Sequence, residues 1–230
     1  MRKRNGCDDE FLDKRLAKVD LWLEEGRIPT SSKVIPIHES LKTQPRVLPT
    51  EQAIEILRNS KSFALTECVC RNHYERCKNP LDVCFMLDDA ADKYVAEGRA
   101  RNISLSEAEH ILKKANEAGL VHLTVFIPDH TILAFCSCCP CCCHDLQFLK
   151  LYGRRDLITH SEYITFTQEE LCTHCGTCVD RCVFGARVLQ DEKMSYDAST
   201  CYGCGLCVTV CPENAIIMQR RNKEEKEDRE

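Results

Sequence analysis

The sequence predicts an α+β protein, and three observations support this prediction. Segments with apolar residues at helical spacing alternate with strand-like segments through the first 160 residues. A composition of 43% hydrophobic and 29% charged residues is that of a globular protein. The 19 cysteines fall into dense blocks instead of being spread along the chain. We therefore expect an N-terminal Cys-rich α+β domain and a separate C-terminal cysteine module.

The first 49 residues predict a helix followed by an extended arm. Apolar residues recur at helical spacing between residues 8 and 26, and Gly26 ends that pattern. Residues 27–49 contain four prolines, each of which fixes its own backbone and disfavours helix in the residue before it. We expect this arm to be extended and to wrap another surface.

Residues 50–160 predict helices alternating with strands. Thr50 can cap a helix in "PTEQAIEILRNS", and Ser104 or Ser106 can cap one in "SLSEAEHILKKANEAG". A further helix is predicted for "LDDAADKYVAEG" and a strand for "KSFALTECVC". The segments "LVHLTVFI" and "TILAFCSC" are expected to pair as strands around the turn "PDH". Both cysteine blocks of this domain then lie at strand ends.

The C-terminal cysteines repeat one spacing twice. The segments "CTHCGTCVDRCVFGA" and "CYGCGLCVTVCPENAI" each follow the pattern C-x₂-C-x₂-C-x₃-C. This duplicated motif resembles the bacterial ferredoxins that carry two [4Fe–4S] clusters, and the resemblance extends over about residues 164 to 218. Val183 departs from the family pattern, which has proline after the fourth cysteine, as Pro212 does in the second motif.

The resemblance implies two [4Fe–4S] clusters with crossed ligand sets, because the fourth cysteine of each motif binds the other cluster in this family. The implied ligands are Cys172, Cys175, Cys178 and Cys211 for cluster 1, and Cys201, Cys204, Cys207 and Cys182 for cluster 2. The segments "YITF" and "AIIM" would form strands packed over the clusters. Two zinc knuckles, the alternative, would leave the third and fourth cysteines of each motif without a role.

The N-terminal domain contains ten further cysteines whose spacing matches no ferredoxin motif. Residues two apart in a strand share a face, so Cys68 with Cys70, and Cys136 with Cys138, can point at one ion or cluster. Pro140 suits the first turn of a helix, which would place the following cysteines near its N-terminus. The candidate metal ligands are a subset of Cys68, Cys70, Cys77, Cys84, Cys136, Cys138, Cys139, Cys141, Cys142 and Cys143.

Three interpretations of these ten thiols are open. A third iron–sulfur cluster, larger than a cubane or with an open iron site, would use more thiols than one cubane needs. A zinc site with His73 or His144 as fourth ligand would be closed and structural. Free or redox-exchanging thiols are the third interpretation. Adjacent cysteines do not easily all bind one small centre, so we expect some of residues 138–143 to be bystanders.

The cysteine-crowded blocks are also similar to uncharacterised iron–sulfur proteins of anaerobes that carry a C-terminal ferredoxin module. This similarity rests on "CVCR", a later "GLVH" and "CSCCPCCC". It implies an anaerobic redox setting and indicates no substrate.

Charge and composition argue against several classes of protein. A net charge of −5 does not suit a nucleic-acid binder, and the apolar stretches are too short for a membrane span. The charged N-terminus is unlike a signal peptide, and the number of cysteines is odd. Together these two observations predict a cytoplasmic protein whose thiols bind metal. No dinucleotide fingerprint or hydrolase triad is present. Arg71, Arg76, Arg99 and Arg101 could line an anionic pocket near the upstream cysteines, but scattered arginines are more often surface charges, and we expect these to be so.

These observations predict a low-potential electron-transfer protein that works with a redox partner or in an oxidoreductase complex. One alternative is a reductase with a catalytic iron–sulfur or dithiol centre in the N-terminal domain. Another is a zinc-stabilised docking subunit of a larger oxidoreductase. A subunit is favoured over a stand-alone enzyme because no acid–base constellation is recognisable. The expected divisions are residues 1–49 (helix and arm), 50–160 (Cys-rich domain), 161–218 (two-cluster module) and 219–230 (charged tail).

Overall fold

A computed structural model describes residues 9–41, 53–129 and 131–221. The helices are α1 (Asp9–Glu24), α2 (Ala53–Asn59), α3 (Val69–Tyr74), α4 (Asp88–Ala96), α5 (Leu105–Glu117), α6 (His144–Tyr152) and α7 (Thr177–Arg181). The strands are β1 (Ser32–Ile35), β2 (Phe63–Glu67), β3 (Asp82–Leu87), β4 (Ala100–Asn102), β5 (Val121–Ile127), β6 (Thr131–Cys138), β7 (Ile158–Thr159), β8 (Tyr163–Thr167), β9 (Arg187–Gln190), β10 (Lys193–Tyr196) and β11 (Ile216–Arg220). This mixture of helix and sheet agrees with the predicted α+β class.

Seven strands form the main sheet, in the order β4-β2-β3-β6-β5-β1-β7. The predicted pairing of "LVHLTVFI" with "TILAFCSC" is confirmed, since β5 and β6 run antiparallel with Val121 opposite Cys138. Strand β1 comes from the proline-rich segment and joins the sheet between β5 and β7. The predicted Thr50 cap, His130 of the predicted turn and the tail from residue 222 lie outside the described residues.

Two buried apolar clusters cover opposite faces of the sheet, because side chains alternate between faces along each strand. On one face, Phe85 and Phe135 pack with Leu57 of α2 and Leu112 of α5. On the other face, Leu123 of β5 packs with residues of α1 and α6 and with the C-terminal module. The cap of α5 is Ser104, whose side chain accepts a hydrogen bond from the Glu107 amide at 3.1 Å.

Two of the expected local structures around the cysteines are wrong. Strand β2 ends at Glu67, and Cys70 lies in helix α3, so Cys68 and Cys70 do not share a strand face. A β-bulge between Thr66 and Glu67 disrupts the pairing there, and Cys68 instead occupies the N-cap position of α3. Helix α6 begins at His144, after a turn, and Pro140 is therefore not in its first turn.

The C-terminal module contains two small antiparallel sheets. The expected outer strands are present, since β8 pairs with β11 and places Tyr163 opposite Arg220. Strands β9 and β10 form the second pair. The module packs directly on the N-terminal part of the chain, where the Ile37 amide donates to the Cys204 carbonyl oxygen at 3.0 Å. Among the described residues, no helix is both long and apolar enough to cross a membrane.

Two glycines of the C-terminal module provide a matched test of its packing. Gly203 (φ +70°) and Gly185 (φ +73°) share the left-handed conformation. A Cβ at Gly203 would overlap the Tyr163 carbonyl oxygen, whereas a Cβ at Gly185 would meet open space. We expect Gly185→Ala to cost about 1 to 2 kcal/mol from backbone strain alone. Gly203→Ala should cost about 1 to 3 kcal/mol more from the overlap.

Thermal unfolding of the anaerobic protein, followed by circular dichroism at one scan rate, checks this expectation. The additional loss at Gly203→Ala corresponds to a midpoint lower by roughly 2 to 12 °C than that of Gly185→Ala. Equal midpoints for the two variants would show that this loop does not pack as described.

Candidate functional site

A first cavity in the C-terminal module is lined by cysteines from both motifs. Its thiols belong to Cys172, Cys175 and Cys178 of the first motif and Cys211 of the second. Gly176, with φ +77°, turns the chain between the second and third cysteine and occupies the N-cap position of α7. The loop therefore curls three thiols around one space, and the fourth arrives from the other motif.

A second cavity has the reciprocal composition. It is lined by Cys201, Cys204 and Cys207 of the second motif and Cys182 of the first. Each cavity thus gathers four thiols, three from one motif and one from the other. The resemblance to the two-cluster ferredoxins implies the same two sets.

The crossing cysteine of each motif has the same environment. The Ala186 amide donates to the Cys182 sulfur at 3.2 Å, and the Ala215 amide donates to the Cys211 sulfur at 3.3 Å. The loop after Cys182 carries Val183 where the other carries Pro212, yet the hydrogen bond is the same. The departure from the family sequence therefore leaves this sulfur environment unchanged.

The cavity thiols suit a group with several metal atoms. Among the described residues, neither cavity brings three ligand atoms within 4.8 Å of one another, which a single ion would need. Burial raises the pKa of Cys207 to about 11, although Arg187 opposes that rise, and burial raises the pKa of Cys204. Ionised thiolates at these positions would need positive charge nearby, which iron ions supply.

Arg187 is a buried positive charge between the two cavities. It is 1% exposed and donates to the Thr167 hydroxyl at 2.9 Å and to the Thr165 hydroxyl at 3.0 Å. Its charge acts on Cys207 of the second cavity and Cys178 of the first. No motif marks the role of this residue, because it is a single arginine in a strand.

A group that we call the four-thiol site lies at the end of β6. It consists of Cys77, Cys139, Cys141 and Cys142, whose sulfur atoms all lie within 4.8 Å of one another. Cys77 is 3.8 Å from Cys139 and 4.0 Å from Cys142, and Cys142 is 3.8 Å from Cys141. Four thiolates around one tetrahedral zinc, each about 2.3 Å from the metal, are about 3.8 Å apart. This site therefore fits a single ion.

The remaining six N-terminal cysteines form a closed circuit of thiol contacts, which we call the six-thiol ring. Each thiol lies close enough to the next to shift its pKa through a side-chain hydrogen bond, and the last acts on the first in the same way, in the order Cys68, Cys70, Cys143, Cys138, Cys136 and Cys84. Hydrogen bonds from neighbouring thiols lower the pKa of every second member, beginning with Cys68. The members between them donate those bonds, and their pKa values are raised.

Arg71 lies between the six-thiol ring and the four-thiol site. It is 2% exposed, and its Nη1 atom donates to the Ser137 carbonyl oxygen at 3.0 Å and to the Cys139 sulfur at 3.7 Å. Its charge also acts on Cys68 and Cys84 of the ring. Its Nε and Nη2 atoms have no hydrogen-bond partner among the described residues. The expectation that Arg71 is a surface charge is therefore wrong.

The structure groups the ten N-terminal cysteines differently from their order in the sequence. Cys77 joins the later block, so the four cysteines between residues 68 and 84 do not form one tetrahedral set. Each of the expected bystanders among residues 138–143 belongs to one of the two groups. Among the described residues, no histidine enters the four-thiol site; His144 Nδ1 is instead 3.2 Å from the Cys70 sulfur of the ring.

The second cavity and the six-thiol ring share one buried apolar cluster. Cys204 packs against the cluster that contains Cys138 and Cys143, together with Tyr202 and Leu206 of the C-terminal module. The first cavity lies farther out, and its Cys175 is exposed. The first cavity thus has an exposed cysteine, whereas a cysteine of the second packs against the cluster that holds two N-terminal thiols.

Comparison with known proteins identifies the C-terminal module. Residues 171–215 match the family model of the 4Fe-4S dicluster domain. The match includes all eight cysteines of the two cavities and lies outside the ten N-terminal cysteines. The chain matches no curated protein. The C-terminal part is therefore a ferredoxin-type iron–sulfur module, which supports iron–sulfur electron transfer in general.

We expect the four-thiol site to bind zinc. Protein reconstituted with zinc should hold about one equivalent at this site, and Cys142→Ser should lose most of it because a tetrahedral site needs its four ligands. Metal analysis after gel filtration checks this. Cys175→Ser, which changes a thiol of the first cavity, is the matched control and should retain the zinc. Equal zinc in Cys142→Ser and the unchanged protein would contradict the assignment.

Proposed function

We propose that the chain is an electron-transfer protein that holds two [4Fe–4S] clusters and exchanges electrons with a redox partner and with its own N-terminal domain. The observation that supports this most strongly is the pair of crossed four-cysteine cavities inside a module of the 4Fe-4S dicluster family. A bound [4Fe–4S] cluster takes up and releases one electron at a time.

The protein's own residues would bind such clusters and tune them. The four cysteines of each cavity supply the thiolates, and the Ala186 and Ala215 amides donate to sulfur. Such hydrogen bonds, together with burial and local charge, set the reduction potential of a cluster. Arg187 contributes a positive charge that favours the reduced, more negative state of both sites.

Exposure indicates where a partner approaches. Cys175 of the first cavity is exposed, and two apolar side chains near it, Leu171 and Leu189, are 45% and 47% exposed. Cys201 and Cys207 of the second cavity are buried, and Cys204 packs on the N-terminal domain. We propose that the redox partner docks beside the first cavity and that the second cavity connects to the N-terminal thiols.

A docking subunit stabilised by zinc is a second candidate function. The tight geometry of the four-thiol site favours it, since zinc sites with four cysteine ligands are closed and structural. The two functions are compatible, because zinc at this site would stabilise the domain on which the C-terminal module packs. A reductase centre in the N-terminal domain is a separate alternative. Substrate turnover that stayed intact after Cys68 was replaced would refute it.

The crossed ligand sets can be tested with four single variants. Cys175→Ser and Cys211→Ser should remove or alter one signal of the reduced electron paramagnetic resonance spectrum, because both belong to the first cavity. Cys204→Ser and Cys182→Ser should affect the other signal. Each variant should also lose up to about four irons per chain. The assignment would be overturned if variants of the same sequence motif affected the same signal, so that Cys182→Ser resembled Cys175→Ser.

Removing the charge of Arg187 should make the clusters harder to reduce. We expect Arg187→Gln to lower the midpoint potential by tens of millivolts, since about 59 mV corresponds to a tenfold change in a one-electron equilibrium. Potentiometric titration measures the shift. Arg99→Gln is the control, because Arg99 is exposed and pairs with Glu97 at 2.9 Å. A higher or unchanged potential in Arg187→Gln would contradict the role given to this charge.

A further inference from the structure

The six-thiol ring is held by four different parts of the N-terminal fold. Cys68 and Cys70 lie at the start of α3, Cys84 lies in β3, and Cys143 occupies the N-cap position of α6. The other two members, Cys136 and Cys138, lie in β6 and share one face of the sheet. Strands β3 and β6 are hydrogen-bonded neighbours. The ring is therefore built on the rigid part of the domain.

The distances between the ring thiols do not suit the binding of a single metal ion. In the described part of the chain, the four-thiol site is the one group with three or more ligand atoms within 4.8 Å of one another. No three ring thiols meet that condition, although each contacts its two neighbours. Thiolates that bind different iron atoms of one cluster can be spaced more widely than thiolates around one ion. The wider circuit thus suits a centre with several metal atoms.

Ordinary core packing accounts for part of the ring, because a free cysteine behaves as a small hydrophobic residue. It does not account for Arg71. A guanidinium that is 2% exposed, with Nε and Nη2 unpartnered, is costly to bury beside neutral thiols. The free-energy cost of burying this guanidinium falls if the ring is anionic. The ring would be anionic if several of its thiolates bound iron and sulfide. Arg71 donates to Cys139 of the four-thiol site and its charge acts on Cys68 and Cys84 of the ring, so its buried charge favours thiolates in both groups.

We propose that the six-thiol ring binds one polynuclear iron–sulfur centre, distinct from the ion of the four-thiol site, with Arg71 as its buried counter-charge. Binding would replace the protons of the thiols with iron, so that neighbouring sulfur atoms no longer compete for protons. Six thiols exceed the four that a cubane requires, and the ring therefore suits a centre larger than a cubane.

The position of the ring gives this centre a role that rests on the proposed electron-transfer function. Cys138 and Cys143 of the ring lie in the buried cluster against which Cys204 of the second cavity packs. The ring centre would therefore be the site inside the chain that exchanges electrons with the second cavity.

The iron content of the unchanged full-length protein is the first test. Protein reconstituted anaerobically with iron and sulfide should hold at least about twelve irons per chain, since the two cavities account for about eight. A count near eight in protein with both cavity signals present would overturn the proposal without affecting the proposed function.

Paired variants assign the additional iron to the ring. Cys84→Ser should lose iron and sulfide but keep the zinc of the four-thiol site, whereas Cys142→Ser should lose zinc and keep the iron. Zinc in Cys84→Ser thus reports that the N-terminal domain has folded. Iron and sulfide that are unchanged in Cys84→Ser would overturn the proposal.

If Cys84→Ser also loses zinc from the four-thiol site, its N-terminal domain has not folded and the variant cannot be used. Arg71→Gln is then the variant to measure, because it leaves all ten thiols intact. We expect it to lower the iron content or to shift the additional reduced-state signal while leaving the two cavity signals unchanged. An unchanged iron content and spectrum would overturn the proposal. Cys211→Ser and Cys204→Ser separate the two claims, since they test the cavities and leave every ring thiol in place.

Discussion

The burial of ionisable thiols close to one another is the condition that the rest of this fold must satisfy. The 18 cysteines in the described residues gather into two cavities, one four-thiol site and one six-thiol ring. Hydrogen bonds between neighbouring ring thiols lower the pKa of some members and raise that of others, so that these thiols do not all ionise together. Positive charge from metal ions removes the conflict, and the two buried arginines, Arg71 and Arg187, supply part of it from the protein itself. Metal binding is therefore coupled to the stability of the fold.

The geometry of one strand explains how the densest cysteine block is divided. Cys136 and Cys138 alternate with Phe135 along β6 and lie on the face opposite the Phe135 core. The strand ends at Cys138, and the turn that follows carries the next cysteines to the other side, beside Cys77. Cys143 returns to the ring at the N-cap of α6. A segment of eight residues thus supplies two centres with different geometry, and no member of it needs to be a bystander.

Helices α1, α2, α4 and α5 and the β5–β6 pair could be predicted from local spacing, and the two crossed cysteine sets from the resemblance to the two-cluster ferredoxins. The repeated C-x₂-C-x₂-C-x₃-C pattern specifies which thiols a short loop can gather. The N-terminal groups depend instead on which strands are neighbours, and strand order is not local. Helix α3 lies against the end of β6. This placement brings Cys77 to the later block and Arg71 to both groups. Charge alone gave no basis for separating Arg71 from exposed arginines such as Arg99.

Anomalous diffraction from anaerobically grown crystals, recorded at the iron and zinc absorption edges, would locate each metal in the chain. We expect iron peaks in both C-terminal cavities and inside the six-thiol ring, and a single zinc peak between Cys77, Cys139, Cys141 and Cys142. Absence of iron from the two cavities would contradict the electron-transfer function. Iron in the cavities alone, with no metal inside the ring, would contradict the assignment of a third iron–sulfur centre.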